Sequence, residues 1–183
     1  EFVISHVSNF RKVKRIEDVV QIFHRIRKKV PAKLILAGDG PERYKIEQLC
    51  QELGVCGDVD MMGSVQSANE IYSISDLFIL PSQTESFGLA ALEALASGVP
   101  VISSNSGGLP EVNKNGYSGY LSNVGDVDEM AENALSILKD TETLARFKKQ
   151  AYEHSKNFSL ASVLPMYEEL YERLVTKNKL IKE

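Results

Sequence analysis

The stretch TESFGLAALEALASGVPVI, residues 84–102, decides the fold of this chain. Gly88 stands directly before Ala and Leu residues spaced as in a helix, and residues 99–103 form a short apolar run typical of a buried strand. Another apolar run, DLFIL at 76–80, comes just before. Strand, turn, helix and strand in this order form a βαβ unit, which predicts a parallel sheet.

The same alternation of strands and helices extends outward over most of the chain. Predicted strands lie at 2–7, 33–37, 59–62, 76–80, 99–103 and 117–121. Predicted helices lie at 16–29, 41–53, 68–73, 88–97 and 126–138, with a further one from about 141. The fold class is therefore α/β, a Rossmann-like parallel sheet with helices on both faces. Residues 159–183 follow as C-terminal helices, and we expect an interruption at Pro165.

Length and composition favour one ordinary globular domain. The 183 residues are 43% hydrophobic and 25% charged, and the net charge of −4 argues against a dedicated nucleic-acid binder. No apolar run approaches the roughly 18–20 residues of a membrane span. The two cysteines, Cys50 and Cys56, lack metal-ligand spacing, so we expect a reducing, cytoplasmic setting. Because the chain opens within an apolar strand and without Met, we expect a fragment of a longer protein.

The loops after the strands are the candidate ligand-binding segments, because parallel strands end at one edge of the sheet and ligands bind outside it. These loops are residues 8–15, 38–41, 63–66, 81–88 and 104–110. In the fourth loop, the first amides of the helix, at about 86–90, have no partners within the helix. Together with the helix dipole they predict an anion site suited to a phosphate or a diphosphate.

Two carboxylates, Glu85 and Glu93, flank this helix start. Carboxylates repel phosphate but accept hydrogen bonds from hydroxyl groups. Glu85 lies before the helix, and Glu93 lies about five residues inside it, roughly 7 Å beyond the helix start. One carboxylate could therefore hold a ribose and the other a second sugar, with a diphosphate between them. On spacing alone the simpler alternative is more common, with Glu85 beside the helix dipole and Glu93 on the surface.

Three motifs, in this order, carry a resemblance to a known family: LILAGDGPE at 34–42, DLFILPSQTESFGLAALEALASGVPVISSNSGGLPEV at 76–112 and GYSGYL at 116–121. The chain resembles the donor-binding domain of retaining GT-B glycosyltransferases of family GT4 over nearly its whole length. The resemblance implies a nucleotide-sugar-binding Rossmann-like domain at 1–158. It also implies a helical tail at 159–183 that crosses to an N-terminal domain absent from this chain. It implies neither a metal nor another cofactor.

The resemblance also implies residue roles. Glu93 would hold the ribose hydroxyls, and Glu85 would hold hydroxyls of the donor sugar. Lys14 would neutralise charge on the leaving diphosphate, and Gly63 would lie against the base. Backbone amides at the helix start would take the diphosphate: those of Ser86, Phe87, Gly88 and Leu89.

The segment HVSNFRKVKR, residues 6–15, narrows the resemblance within the family. Most GT4 enzymes resemble G-R-L-x-x-x-K-G here, whereas this chain has Asn9 at the arginine position and Lys14 at the lysine position. Asn9 carries no charge, so Lys14 must carry more of the diphosphate charge. This pattern resembles the branch that transfers N-acetylglucosamine from UDP-N-acetylglucosamine to L-malate in bacillithiol synthesis.

Two other functions are compatible with the same sequence. They are another GT4 activity, on a polysaccharide or lipid acceptor, and a nucleotide-binding module without catalysis. Since the family binds its acceptor mostly on the N-terminal domain, we expect the isolated chain to bind UDP weakly and to transfer no sugar. We also expect its tail to be mobile or docked on another copy, so a homo-oligomer is possible.

Several further motifs have structural interpretations beside functional ones. The D-x-D triplets at 58–60 and 126–128 could hold a metal, but a strand start and a helix cap are the favoured interpretations. His6 lies at a strand end near the presumed cleft. Gly107 and Gly108 could offer amides to a ligand, or could form a tight turn before a short helix.

Overall fold

Six parallel strands form a single sheet in the computed structural model, which describes residues 1–180 and side chains as far as Val175. The strands are β1 Phe2–Val7, β2 Ala32–Ala37, β3 Val59–Gly63, β4 Leu77–Leu80, β5 Val101–Ser104 and β6 Gly119–Ser122. Their order is β3-β2-β1-β4-β5-β6, and every neighbouring pair is parallel. The strand order reverses between β1 and β4, so the crevice at their carboxyl ends is the expected ligand position.

Helices cover both faces of this sheet, as predicted. The described residues form α1 Ile16–Arg27, α2 Arg43–Glu52, α3 Asn69–Ile74, α4 Leu89–Ala96, α5 Leu109–Val112, α6 Val127–Leu138, α7 Thr141–Ser155 and α8 Leu160–Leu180. Strand β4 shows the two layers directly. Leu77 and Ile79 belong to the core shared with α1, α2 and α6, whereas Phe78 and Leu80 belong to the core shared with α3, α4 and α5.

Local sequence signals explain most element ends. All four residues of β4 are buried, in keeping with an uninterrupted apolar run in a strand covered on both faces. The predicted cap of α6 is confirmed, because a side-chain oxygen of Asp126 accepts a hydrogen bond from the Glu129 amide at 3.0 Å. The interruption predicted at Pro165 is wrong, because α8 continues through it. A proline removes a single backbone donor, which a helix can absorb locally.

Helix α8 leaves a row of apolar side chains exposed. The exposed residues include Leu160, Leu164, Met166, Tyr167, Leu170, Tyr171, Leu174 and Val175. No strand follows β6 within the described part of the chain. Of the predicted tail at 159–183, the last three residues lie outside the described residues. Among the helices that the structure describes, none combines the length and the apolar character needed to cross a membrane.

Candidate functional site

The loops that follow β1 and β4 enclose a cavity of about 330 Å³ at the point where the strand order reverses. Seven of the predicted site residues line this cavity: Asn9, Lys14, Glu85, Ser86, Phe87, Gly88 and Leu89. Gly63 and Glu93 do not. Gly63 ends β3, which β2 separates from β1, and Glu93 lies one turn beyond Leu89 on α4. The cavity therefore gathers the candidates for diphosphate and sugar and leaves out those for base and ribose.

Free backbone amides line one wall of the cavity. Helix α4 begins at Leu89, after Gly88 in the left-handed region with φ of +93°. Among the described residues, none accepts a hydrogen bond from the amides of residues 86–90. These donors lie at the positive end of the α4 dipole, so the wall suits an anion.

An ion pair between Lys14 and Glu85 joins the two loops inside the cavity. The Lys14 Nζ lies 2.5 Å from the Glu85 Oε1, and both side chains are largely shielded from solvent. The Ser82 hydroxyl donates to the same Glu85 oxygen at 2.9 Å. A backbone hydrogen bond of 2.8 Å from Gln83 N to Val13 O also connects the loops. The one cation and the one carboxylate among the residues that line this cavity thus satisfy each other.

The carboxylate of Glu93 is held by a buried tyrosine. The Tyr72 hydroxyl on α3 donates to the Glu93 Oε2 at 3.2 Å. Tyr72 is only 1% exposed, and its ring packs edge-to-face on Phe78 at 5.6 Å between centroids. Burial, with the Glu93 charge nearby, raises the pKa of Tyr72 well above its usual value, so the hydroxyl remains a donor. The second oxygen of Glu93 has no partner among the described residues and is free for a ligand.

A buried histidine supports the loop that follows β1, residues 8–15. His6 is completely buried, and its ring stacks parallel to Phe78. Its Nδ1 lies 2.8 Å from the Ile79 carbonyl oxygen, and its Nε2 lies 2.7 Å from the Ser8 Oγ. Burial lowers the pKa of His6 to about 4, so the ring is neutral at pH 7. Sequence reasoning placed His6 near the cleft but missed Ser8, whose signal was a side chain where the family commonly has glycine.

The GDG segment at 38–40 supports the loop that follows β1 and does not line the cavity. Ser8 N donates to the Ala37 carbonyl oxygen at 3.1 Å, and Phe10 N donates to the Asp39 carbonyl oxygen at 2.9 Å. A Cβ atom at Gly38 would lie 1.7 Å from the Ser8 carbonyl oxygen. Only glycine permits this approach, at a φ of +134°.

A pair of neighbouring glycines supports the loop that follows β4, residues 81–88, in the same way. A Cβ atom at Gly107 would lie 2.0 Å from the Glu85 carbonyl oxygen, and the Gly108 amide donates to that oxygen at 2.9 Å. Of the two interpretations of these glycines, the structure favours the tight turn, which leads directly into α5. The Gly108 amide is already used and is not free for a ligand.

The D-x-D aspartates have structural partners. Asp58 forms ion pairs with Arg27 and Lys33, both at 2.9 Å, and Asp126 caps α6. Within the part of the chain that the structure describes, no group of three or more His, Cys, Asp or Glu residues is arranged to hold a metal ion.

Comparison with known proteins places this geometry among sugar-transferring enzymes. Residues 1–154 match the family described as Glycosyl transferases group 1. The chain is 42% identical over 180 residues to the N-acetyl-alpha-D-glucosaminyl L-malate synthase of Bacillus anthracis, an alignment that covers 98% of this chain and 47% of that protein. The chain thus spans about half the length of this curated relative.

Two solved structures are similar in fold. The Anabaena protein HepE in complex with UDP aligns with a TM-score of 0.85 at 24% identity, over 94% of this chain and 49% of that one. The C-terminal domain of a Francisella tularensis glycosyl transferase group 1 family protein aligns with a TM-score of 0.77 at 24% identity, over 85% of both chains. The second comparison matches a separately solved domain of similar extent.

Proposed function

The chain belongs to the group 1 glycosyltransferases, and from this membership we propose that it is the nucleotide-sugar-binding half of a retaining glycosyltransferase. The observation that carries the proposal is the cavity at the carboxyl ends of β1 and β4. There, unpaired amides, one lysine and one carboxylate face the same space. A nucleoside diphosphate sugar needs this combination of an anion site beside a hydroxyl acceptor.

We assign the diphosphate to the amides at the start of α4 and to Lys14. The negative charge on the diphosphate grows as the bond to the sugar breaks, and a fixed cation within reach lowers that barrier. Glu85 then turns from Lys14 to the donor-sugar hydroxyls, and Glu93, held by Tyr72, takes the ribose diol. Gly63, at the end of β3, is assigned to the base.

The proposed donor is UDP-N-acetylglucosamine and the proposed acceptor is L-malate. The support is the name of the Bacillus anthracis relative, which is 42% identical in sequence over 98% of this chain. The acceptor would bind mainly on a second domain. The proposal also includes a cytoplasmic location, no requirement for a metal, and the role of Asn9 as an uncharged neighbour of the diphosphate. A transferase with a polysaccharide or lipid acceptor is the alternative, and a binding module without catalysis is another.

Calorimetric titration of the chain with UDP, UDP-N-acetylglucosamine, UDP-glucose, ADP and GDP tests the donor. We expect UDP and UDP-N-acetylglucosamine to bind, with and without EDTA. We expect ADP and GDP to bind at least tenfold more weakly. Preference for ADP or GDP, or dependence on a divalent ion, contradicts the donor assignment.

Product analysis with a protein that carries both halves tests the acceptor. We expect a glucosaminyl-malate product from UDP-N-acetylglucosamine and L-malate. If transfer occurs only to a lipid or polysaccharide, the malate assignment is wrong while the donor assignment stands. If donor binds but no acceptor reacts, the module without catalysis is the better description.

A further inference from the structure

The hydrogen bonds of His6 fix the direction of the Ser8 hydroxyl bond. The Ile79 carbonyl oxygen can only accept, so the proton of the neutral ring must be on Nδ1, which lies 2.8 Å away. The Nε2 therefore carries a lone pair. Its partner at 2.7 Å, the Ser8 Oγ, must then be the donor. A second proton on the ring is opposed by its complete burial.

The single proton of the Ser8 hydroxyl is consequently already in use. The Ser8 Oγ also lies 3.1 Å from the Asn9 carbonyl oxygen, but that longer contact cannot share the proton given to His6. What remains on the Ser8 oxygen is acceptor capacity. Ser8 lines the cavity beside Lys14 and Glu85, so this capacity is available to a bound molecule.

We propose that Ser8 is a further substrate-binding residue, and that its hydroxyl, fixed by His6, accepts a hydrogen bond from a hydroxyl group of the bound sugar or of the acceptor. This inference rests on the proposed function. Phosphate oxygens offer no proton at neutral pH, so an acceptor-only oxygen disfavours the diphosphate and favours an alcohol. His6 is then a positioning residue, because it acts on the substrate only through Ser8.

The Ser8→Ala variant tests the contact. We expect its affinity for UDP to stay within twofold of wild type and its affinity for UDP-N-acetylglucosamine to fall about three- to tenfold, the range of one neutral hydrogen bond. If the hydroxyl belongs to the acceptor, both donor titrations stay unchanged. The KM for the acceptor in the two-domain protein then rises by the same factor. Ser136→Ala, which removes an exposed hydroxyl on α6, is the matched control and should change none of these constants.

Equal weakening of UDP and UDP-N-acetylglucosamine by Ser8→Ala overturns the inference, because Ser8 would then act on the diphosphate or on the loop as a whole. Unchanged donor and acceptor constants overturn it as well. Both results leave the proposed function intact if the wild-type chain binds the donor. A wild-type chain that binds no nucleotide sugar overturns the proposed function, and the inference falls with it.

The His6→Asn variant tests the fixed direction of the Ser8 bond. A short amide keeps a donor toward Ile79 but offers nothing in place of Nε2, so the Ser8 proton is free to turn toward the diphosphate. If Ser8 contacts the bound sugar, we expect the ratio of affinities for UDP-N-acetylglucosamine and UDP to narrow at least threefold. This narrowing should be absent when Ser8 is also alanine. If Ser8 contacts the acceptor, the KM for the acceptor should rise at least threefold instead, and that rise should also be absent when Ser8 is alanine. An equal narrowing or an equal rise in the double variant would show that His6 does not act through Ser8.

Nitrogen NMR of the His6 ring provides a readout independent of binding and of either variant. We expect the neutral tautomer with the proton on Nδ1 at pH 7. A proton on Nε2, or on both nitrogens, leaves the Ser8 proton free and contradicts the inference directly.

Discussion

Glu93 and Tyr72 allow the ribose contact to be tested at the scale of single atoms. We expect Glu93→Gln to weaken UDP binding about tenfold, because a charged acceptor for the diol is lost. Tyr72→Phe, which only releases the carboxylate, should weaken it about threefold. Both effects should vanish in calorimetry with 2′,3′-dideoxy-UDP. Equal losses with UDP and the dideoxy analogue would place Glu93 away from the ribose.

The burial of His6 predicts a dependence of stability on pH. Its pKa is about 4 when folded, against about 6.5 in the unfolded chain, so the unfolded state binds more protons between these values. The stabilisation is complete above pH 6.5 and is lost as the pH falls toward 4, by about 3 kcal/mol. Urea unfolding at pH 7 and pH 4.5 measures it. His6→Asn should show a smaller drop, and an identical drop in both proteins would contradict the assignment.

Lys14 should matter more for turnover than for folding. We expect Lys14→Ala to reduce kcat of a two-domain enzyme on the order of 10²-fold, because a cation at the leaving diphosphate is lost. Its urea midpoint should stay close to wild type, since Lys14 is not part of either apolar core. Lys45→Ala, which breaks an ion pair on α2, controls for the loss of charge. A destabilised but fully active Lys14→Ala enzyme would end the assignment.

At the scale of elements, periodicity predicted the strands and helices closely, because each depends on neighbours along the chain. The structure moves the fifth strand from 99–103 to Val101–Ser104 and lengthens the third by Gly63. Of the predicted ligand loops, those after β1 and β4 line the cavity. Loops 38–41 and 104–110 brace the two that line the cavity, through contacts such as Gly38 with Ser8. Such contacts join residues far apart in sequence, so local patterns do not encode them.

The supporting role of Gly107 can be separated from backbone strain by comparison with Gly116. Both glycines have positive φ, but a Cβ atom meets the Glu85 carbonyl oxygen only at Gly107, and nothing within 4 Å at Gly116. We expect Gly116→Ala to cost about 1 kcal/mol of unfolding free energy. Gly107→Ala should cost at least about 2 kcal/mol more and weaken UDP binding. Chemical denaturation and calorimetry measure both, and equal costs would mean that the loop yields without effect.

At the scale of the whole molecule, the exposed apolar side chains of α8 are the feature that packing within the described residues explains least. A groove of about 520 Å³ lies along it, lined by residues that include Phe158, Val163 and Leu170. Phe158 also packs edge-to-face on Phe87 of the cavity, with ring centroids 6.0 Å apart. The exposed apolar row of α8 is an expected contact surface for a second domain or a second copy.

The chain of 183 residues should therefore bind the nucleotide without transferring sugar. We expect it to unfold cooperatively and to bind UDP, because both cores and the whole cavity lining belong to it. No glucosaminyl-malate should form when it is incubated with donor and malate, because acceptor groups are expected on a second domain. The same assay on a two-domain enzyme is the positive control. Robust product formation by the 183 residues would show that the acceptor site also lies here.

The pairing of Lys14 with Glu85 has a consequence for product release under the roles proposed for these two residues. A spent nucleotide would draw Lys14 toward its diphosphate but bring no sugar to Glu85, and among the described residues only the Ser82 hydroxyl would still donate to that carboxylate. An intact donor would add its sugar hydroxyls to Glu85. We therefore expect the by-product to be held less firmly than the incoming donor, and restoration of the ion pair to favour its release.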